Sequence, residues 1–178
     1  MDSPRKTSLL LHRPHLHDLP AIPPLPGGYV LRSFTGADDL ADLSTTLSEA
    51  FNDPWPPERV RTELTEAPDV KAVYVVAWQG KPVATASSRY LPERFPHSGY
   101  VHWVGTHPLH ARKGLSAALM AQVLQDFVER GYKDAVLETE DFRLPALRLY
   151  LKTGFLPVYE VRGEDHRKRW SAIFKALL

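Results

Sequence analysis

The sequence contains no cysteine. That absence removes disulfides, Cys-ligated zinc and a thiol nucleophile together, so any thioester chemistry here must use a sulfur brought by a cofactor. Long apolar runs are missing as well. The longest early one is Leu9-Leu10-Leu11, too short for a signal-peptide core or a membrane span. Neither charge prevails. With 22 Lys and Arg against 21 Asp and Glu the formal net charge is +1, and no whole-molecule field draws in nucleic acid or an acidic membrane. The ten glycines form neither Gly-x-Gly-x-x-Gly nor Gly-x-x-x-x-Gly-Lys-Ser/Thr, so neither the dinucleotide fingerprint nor the P-loop is present. What is there is a chain of 178 residues, 43% hydrophobic and 24% charged, which suits one globular domain with a sizeable core in the cytoplasm.

The first residues differ from the rest. Before Gly27 lie six of the sixteen prolines (Pro4, Pro14, Pro20, Pro23, Pro24, Pro26) together with His12, His15 and His17. Neither a helical nor a strand period survives there. Residues 1–27 therefore read as a Pro-rich arm, extended or partly disordered, ahead of a domain over 28–178. The three histidines lack an accompanying carboxylate cluster, which favours a polar arm over a metal site. From residue 29 the pattern is regular. A strand over 29–34 leads to Thr35 as a helix N-cap and an amphipathic helix over 37–51. Pro56 and Pro57 open a second, short helix. Two β-rich runs, 72–78 and 82–90, joined by Gln79-Gly80-Lys81, make a hairpin, and a third run covers 100–106. Beyond it, helix and strand alternate. A helix over 114–130 is stopped by Gly131, a strand centres on Val136, and a helix through Tyr150 ends at Gly154. A strand over 155–161 and a helix over 165–178 complete a mixed α/β domain around one sheet.

The informative stretch runs from His102 to Ser116. A strand enters a small basic turn and passes directly into a helix. A helix start offers unpaired N–H groups and the positive end of the dipole. Gly114 lets a ligand approach the backbone, and Arg112 and Lys113 add positive charge. These features fit a pyrophosphate site and equally a plain strand-to-helix turn; the spacing leaves both open. His107 and His110 lack the further ligands that a zinc site needs.

The same stretch resembles motif A of the GNAT acetyltransferase superfamily. There a strand ending hydrophobic-x-hydrophobic-x-Pro leads into Gln/Arg-x-x-Gly-x-Gly/Ala and a long amphipathic helix. Here Val104-Gly105-Thr106-His107-Pro108 is the strand end and Ala111-Arg112-Lys113-Gly114-Leu115-Ser116 the loop. Ala111 stands where the family prefers Gln or Arg, and Ser116 where it prefers Gly or Ala. Further on, Arg143-Leu144-Pro145-Ala146-Leu147-Arg148-Leu149-Tyr150 and Gly154-Phe155 resemble motif B, Asn-x-x-Ala-x-x-Leu-Tyr followed by Gly-Phe, with Arg143 replacing Asn. The two motifs carry the resemblance jointly, over about residues 29–161. The run Asp141-Phe142-Arg143-Leu144-Pro145-Ala146 is similar to a bacterial subgroup related to the halves of mycothiol synthase.

The resemblance implies a GNAT-type α/β fold, a mixed central β-sheet flanked by helices in a single domain. It implies acetyl-CoA as acyl donor without a metal, and a small-molecule or peptide amine as acceptor; a homodimer stays open. The pantetheine would lie along Val104, Gly105 and Thr106. The pyrophosphate would sit at Ala111, Arg112, Lys113, Gly114, Leu115, Ser116 and Ala117, with Arg143 and Tyr150 also against the cofactor. Tyr150 matches the family's tyrosine that protonates the departing thiolate, although a helix tyrosine before Gly-Phe is also an ordinary packing residue. His102 shares a strand face with Tyr100 and is a candidate general base, or else a hydrogen-bonded strand histidine. Trp55 either faces the acceptor or packs, whereas Trp78 and Trp103 read as core. The mixed charges of 162–169 suit a solvated helix face better than nucleic acid. Such a domain could also hold acyl-CoA without turnover, or its helix start could take another phosphate ligand.

Overall fold

The computed structural model describes residues 7–178. Runs of β-branched and aromatic residues give β2 (Tyr29–Ser33), β3 (Val70–Trp78), β4 (Lys81–Arg89) and β5 (Ser98–Thr106), an antiparallel meander. Between β2 and β3 lie α1 (Ala37–Phe51) and α2 (Pro57–Val60), the latter continuing into a wider turn over Arg61–Thr65. They cover one sheet face, where Leu43, Leu47, Trp55, Val60 and Leu64 cluster with Val75. α3 (Leu115–Glu129) covers the other face and buries Leu119, Met120, Val123, Leu124 and Phe127 completely. Then come β6 (Asp134–Thr139), α4 (Leu144–Lys152), β7 (Leu156–Pro157), a hairpin of β8 (Glu160–Val161) and β9 (Glu164–Asp165), and α5 (Arg167–Leu177).

With β1 (Leu9–Arg13), the main sheet runs β2-β3-β4-β5-β6-β1-β7. Among the described residues, β5 and β6 are the one parallel pair of neighbours, joined through α3 as a parallel pair requires. The result is the mixed sheet flanked by helices that the resemblance implies.

The arm is the main correction. Leu9–Arg13, expected to lack regular structure, forms a strand paired antiparallel with β6 on one side and β7 on the other. Leu9 and Leu11 are fully buried. The inward position that reads least like core is Arg13, 4% exposed. Its guanidinium donates from Nε to the Thr153 carbonyl (2.9 Å) and from Nη2 to the Asp18 carbonyl and carboxylate (3.0 and 2.9 Å), and it also bonds the His15 carbonyl. A buried charge is tolerable when its donors are satisfied in this way. Gly154, at φ +89°, leaves room for it, since a Cβ there would lie 3.1 Å from Arg13 Nε. The arm thus closes the C-terminal end of α4.

Two smaller differences have local causes. Gly36, not Thr35, occupies the N-cap of α1, and the capping contact runs backwards: Asp39 accepts from the Thr35 N–H and hydroxyl (2.8 and 2.9 Å). Arg32 clamps the same carboxylate with two bonds and holds it below its ordinary pKa. The strand expected over 155–161 is split: Leu156–Pro157 pairs with β1, and Glu160–Val161 pairs instead with Glu164–Asp165.

Leu11→Ala should therefore cost about 2–5 kcal/mol in a denaturant titration, and removal of residues 1–13 should abolish a cooperative thermal transition. A truncated protein that melts like the intact one would show that β1 is dispensable.

Candidate active site

β5 and β6 pair only from Ser98/Asp134 to Val101/Leu137. Beyond that point β5 stays on β4 while β6 leaves it, so the edge of β5 over residues 102–106 has no strand partner. Trp103 marks the parting. It has φ +48°, and four residues of β5 (102–105) span three of β4 (85–87), a bulge that increases local twist. A bulky residue in that conformation is strained, and here neighbouring rings hold it: Trp55 and His102 lie 4.5 and 4.6 Å away and Phe51 5.3 Å. The gap opens a cleft of about 830 Å³, within the range of small-molecule sites.

At one end of the cleft, the turn before α3 forms an anion cradle. Arg112 and Gly114 have φ +60° and +77°, the alternation in which successive N–H groups converge. Among the described residues, the N–H groups of residues 112–116 make no hydrogen bond. A Cβ at Gly114 would meet nothing within 4 Å, so the space above it is open. The Arg112 and Lys113 side chains are exposed. The Ser116 hydroxyl pairs with that of Thr106 at 2.9 Å and ties helix start to strand end. The turn's histidines serve the scaffold. His110 Nδ1 pairs with the Tyr29 hydroxyl (2.8 Å), and His107 Nδ1 accepts from the Leu109 N–H.

Tyr150 reaches the cleft from α4 with its ring buried against Phe155. Its hydroxyl has no hydrogen-bond partner among the described residues, and it is not sealed from the cleft. Burial pushes its pKa up to about 12, opposed by the Arg143 cation, so the phenol keeps its proton at neutral pH. Arg143, at the N-cap of α4, lies over the Phe51 ring (5.0 Å) and the Phe142 ring (5.3 Å).

His102 lines the same cleft, but its environment opposes the base role. Arg89 Nη1 donates to its Nε2 at 3.2 Å, occupying the lone pair a base would use. Burial and then the Arg89 cation push its pKa down to about 3, against a smaller pull from Asp69. His102 is thus a neutral, hydrogen-bonded strand histidine. Trp55 is 1% exposed beneath Arg59, so it packs rather than faces an acceptor. Trp103, expected in the core, is half-buried and lines the cleft with Phe51.

Sequence reasoning missed two carboxylates at the end of β6. Glu138, in the strand, and Glu140, just past it, both line the cleft. Glu138 is saturated. Arg94 donates twice (2.7 and 3.0 Å), the Tyr100 hydroxyl once (2.9 Å) and Arg162 at 3.3 Å. Burial pushes its pKa up, and the donors outweigh that and hold it below the ordinary value. Two carboxylates spaced by two just before motif B were the available signal.

The sequence profile of the acetyltransferase (GNAT) family matches residues 40–155. The chain belongs to that family. It is 31% identical over 160 residues to a mycothiol acetyltransferase of Actinosynnema mirum, covering 85% of this chain and 52% of the relative. To a mycothiol acetyltransferase of Nocardia farcinica it is 30% identical over 156 residues, covering 79% and 50%. The chain thus spans about half the length of these curated relatives. The fold is also that of a GCN5-related N-acetyltransferase from Sphaerobacter thermophilus (TM-score 0.65, 22% identity, 84% of this chain and 48% of that one). A ribosomal-protein-S18-alanine N-acetyltransferase from Escherichia coli shares it too (TM-score 0.61, 19% identity, 77% and 87%).

If residues 112–116 cradle a pyrophosphate, acetyl-CoA should raise the melting temperature, because a ligand of the native state alone stabilises it by about 2.7 kcal/mol at a hundred times its Kd. Gly114→Asp should remove the shift by placing a side chain and a negative charge in the cradle. An unchanged shift in the folded variant would put acetyl-CoA elsewhere.

Proposed function

We propose that this domain transfers an acetyl group from acetyl-CoA to the amine of a small molecule or peptide by direct attack. The observation that carries the reading is the alignment of three features in one cleft: an open strand edge, an anion cradle and a partnerless tyrosine hydroxyl. The donor, when bound, supplies an activated acyl group on its own thioester sulfur, which suits a chain without cysteine.

The protein's part follows from these residues. The open edge at Val104, Gly105 and Thr106 offers backbone groups to an amide-bearing ligand, the way an added strand binds. The N–H groups of Arg112, Lys113, Gly114, Leu115, Ser116 and Ala117 face the anionic end, although Ala117 also donates to the Gly114 carbonyl (3.1 Å). Ala111, exposed at the turn, leaves that contact to the backbone. The backbone N–H near Val104 steadies the carbonyl oxygen as it gains charge. Arg143, without a carboxylate partner among the described residues, adds positive charge beside Tyr150. Tyr150 gives its proton to the sulfur as it leaves.

The acceptor is a small or peptide amine, and the cations of the last helix do not form a nucleic-acid patch, since Arg167 and Arg169 pair with Asp165 and Asp141. We place the protein in the cytoplasm; among the described residues no helix is long and apolar enough to cross a membrane.

The direct test is mass spectrometry of an amine and peptide panel incubated with protein and acetyl-CoA, where binding without any acetylated product would favour a non-catalytic acyl-CoA-binding domain. For the acid role, Tyr150→Phe should lower kcat about 10²–10⁴-fold with acetyl-CoA affinity nearly unchanged. Full activity in that variant would make Tyr150 a packing residue. Wild-type activity should lose no ground to tyrosine ionisation until pH approaches about 12. His102→Gln should leave any kinetic pKa between 5 and 9 in place, because the native imidazole is already neutral there. Loss of such a pKa would restore His102 as the base.

A further inference from the structure

Resting on the acetyl-transfer reading, we propose that Glu140 is the carboxylate that receives the acceptor's ammonium group and takes its proton, with Ser8, just ahead of the N-terminal strand, as its positioning residue. The acceptor is therefore a cation before it reacts. The segment leading into β1 is part of its binding site.

Outside the anion cradle and its turn, three cleft side chains could accept a proton: His102, Glu138 and Glu140. The first two are already occupied. The Arg89 N–H fills the Nε2 lone pair of His102, and four donor contacts fill the two oxygens of Glu138. Glu140 differs. Its carboxylate accepts one hydrogen bond among the described residues, from the Ser8 hydroxyl to Oε1 at 2.9 Å, and Oε2 has no partner among them. One neighbouring cation, Arg169, feels the Glu140 charge but donates its hydrogen bonds elsewhere, to Asp141, to the Thr7 carbonyl (2.7 Å) and to His166 (3.0 Å).

Position supports the role. Tyr100 of β5 is level with Val136 of β6, so alternation puts Glu138 on the face of Tyr100 and His102, and Glu140, the first residue after β6, lines the same cleft. Ser87, opposite His102, and Thr85, opposite Gly105, place that face under α1, where a Cβ on Gly105 would touch Ala50 and Phe51. Tyr150 enters from α4. The cleft therefore brings together the Glu140 carboxylate, side chains of α1 and a phenol from α4, as amine attack with thiolate departure requires. Phe51 and Trp103 line the α1 side with rings, which suits an ammonium attached to an apolar or aromatic group.

The protons balance. Glu140 takes one proton from the ammonium, and the freed nitrogen lone pair forms the N–C bond to the acyl carbon. The C–S bond breaks with its electron pair on sulfur, which receives the Tyr150 proton. Nitrogen gives its second proton to water, Glu140 returns its proton to water, and Tyr150 regains one, so one proton is released per turnover.

Benzylamine, an ammonium ion at neutral pH, and hydroxylamine, which is unprotonated there, separate this role from a structural one. With full-length protein and acetyl-CoA, Glu140→Gln should lower kcat/KM for benzylamine by about 10²-fold or more and leave hydroxylamine acetylation within a few-fold of wild type. Its acetyl-CoA melting shift should stay intact. Ser8→Ala should lower benzylamine kcat/KM by a smaller factor and add nothing in the Glu140→Gln background, because it acts through that carboxylate. Equal losses with both nucleophiles, or no loss with benzylamine, would overturn the inference and leave the acetyltransferase reading standing. Wild-type protein that binds acetyl-CoA yet acetylates neither amine would overturn both.

Discussion

Everything in this domain that can do chemistry depends on β5 and β6 ceasing to pair after Val101 and Leu137. A sheet normally satisfies both edges of an inner strand, and leaving one edge open inside a domain costs free energy per unmet backbone group. The expense is confined to residues 102–106, where water or a ligand can reach the strand edge. Antiparallel neighbours hold the rest of the sheet in register on both sides. β4 follows β5 to Thr106, and β1 follows β6 to Thr139. The split is stable because each half remains anchored to an outer strand. Remove either anchor and the cleft loses a wall.

That constraint gives the N-terminal segment its weight. Without β1, β6 would be an edge strand at the very place where it must diverge from β5. The strand was hard to read from sequence for physical reasons. Only five residues long, it carries an arginine at an inward position and sits among prolines. The interactions that make it a strand are long-range. Leu9 and Leu11 find their core partners more than a hundred residues away, and Arg13 finds its acceptor at Thr153. Periodicity reports only local order, so a short strand stabilised by distant partners leaves little trace in it.

The cradle proposed for the cofactor was far more legible as backbone geometry. The cradle is made of backbone, and its requirements fall on residue types: a glycine where φ is positive and space is open, and small residues where the helix begins. Gly114, Ser116 and Ala117 satisfy them, and the loop position of Arg112 could be read even though its own positive φ could not. Tyr150 was legible through its register with Gly154 and Phe155. The acceptor side was not, because it is defined by which lone pairs are left over after folding. His102 has the right side chain for a base and the wrong neighbour, Arg89. Trp103, expected in the core, lines the cleft because a bulge turns that strand residue toward it, whereas Trp55 takes the packing one of its two readings. No pattern of residue types encodes a bulge or an occupied lone pair.

The two tyrosines of the cleft show how environment divides labour among identical groups. Tyr100 and Tyr150 are both buried phenols with raised pKa values, and both remain protonated at neutral pH. Tyr100 spends its proton on Glu138 and becomes part of the frame that binds β5 to β6. Among the described residues Tyr150 has no such partner, and it feels a cation, Arg143, rather than a carboxylate. A donor already engaged with an anion has little to offer a second one, whereas a free donor beside positive charge suits the proton transfer proposed for it. The same comparison separates Glu138 from Glu140. In each pair the saturated member maintains the opening and the unsaturated member is available to a ligand. A cleft built from an interrupted sheet needs both kinds of group, because the residues that hold its walls apart must be satisfied without the substrate, and those that react must not be.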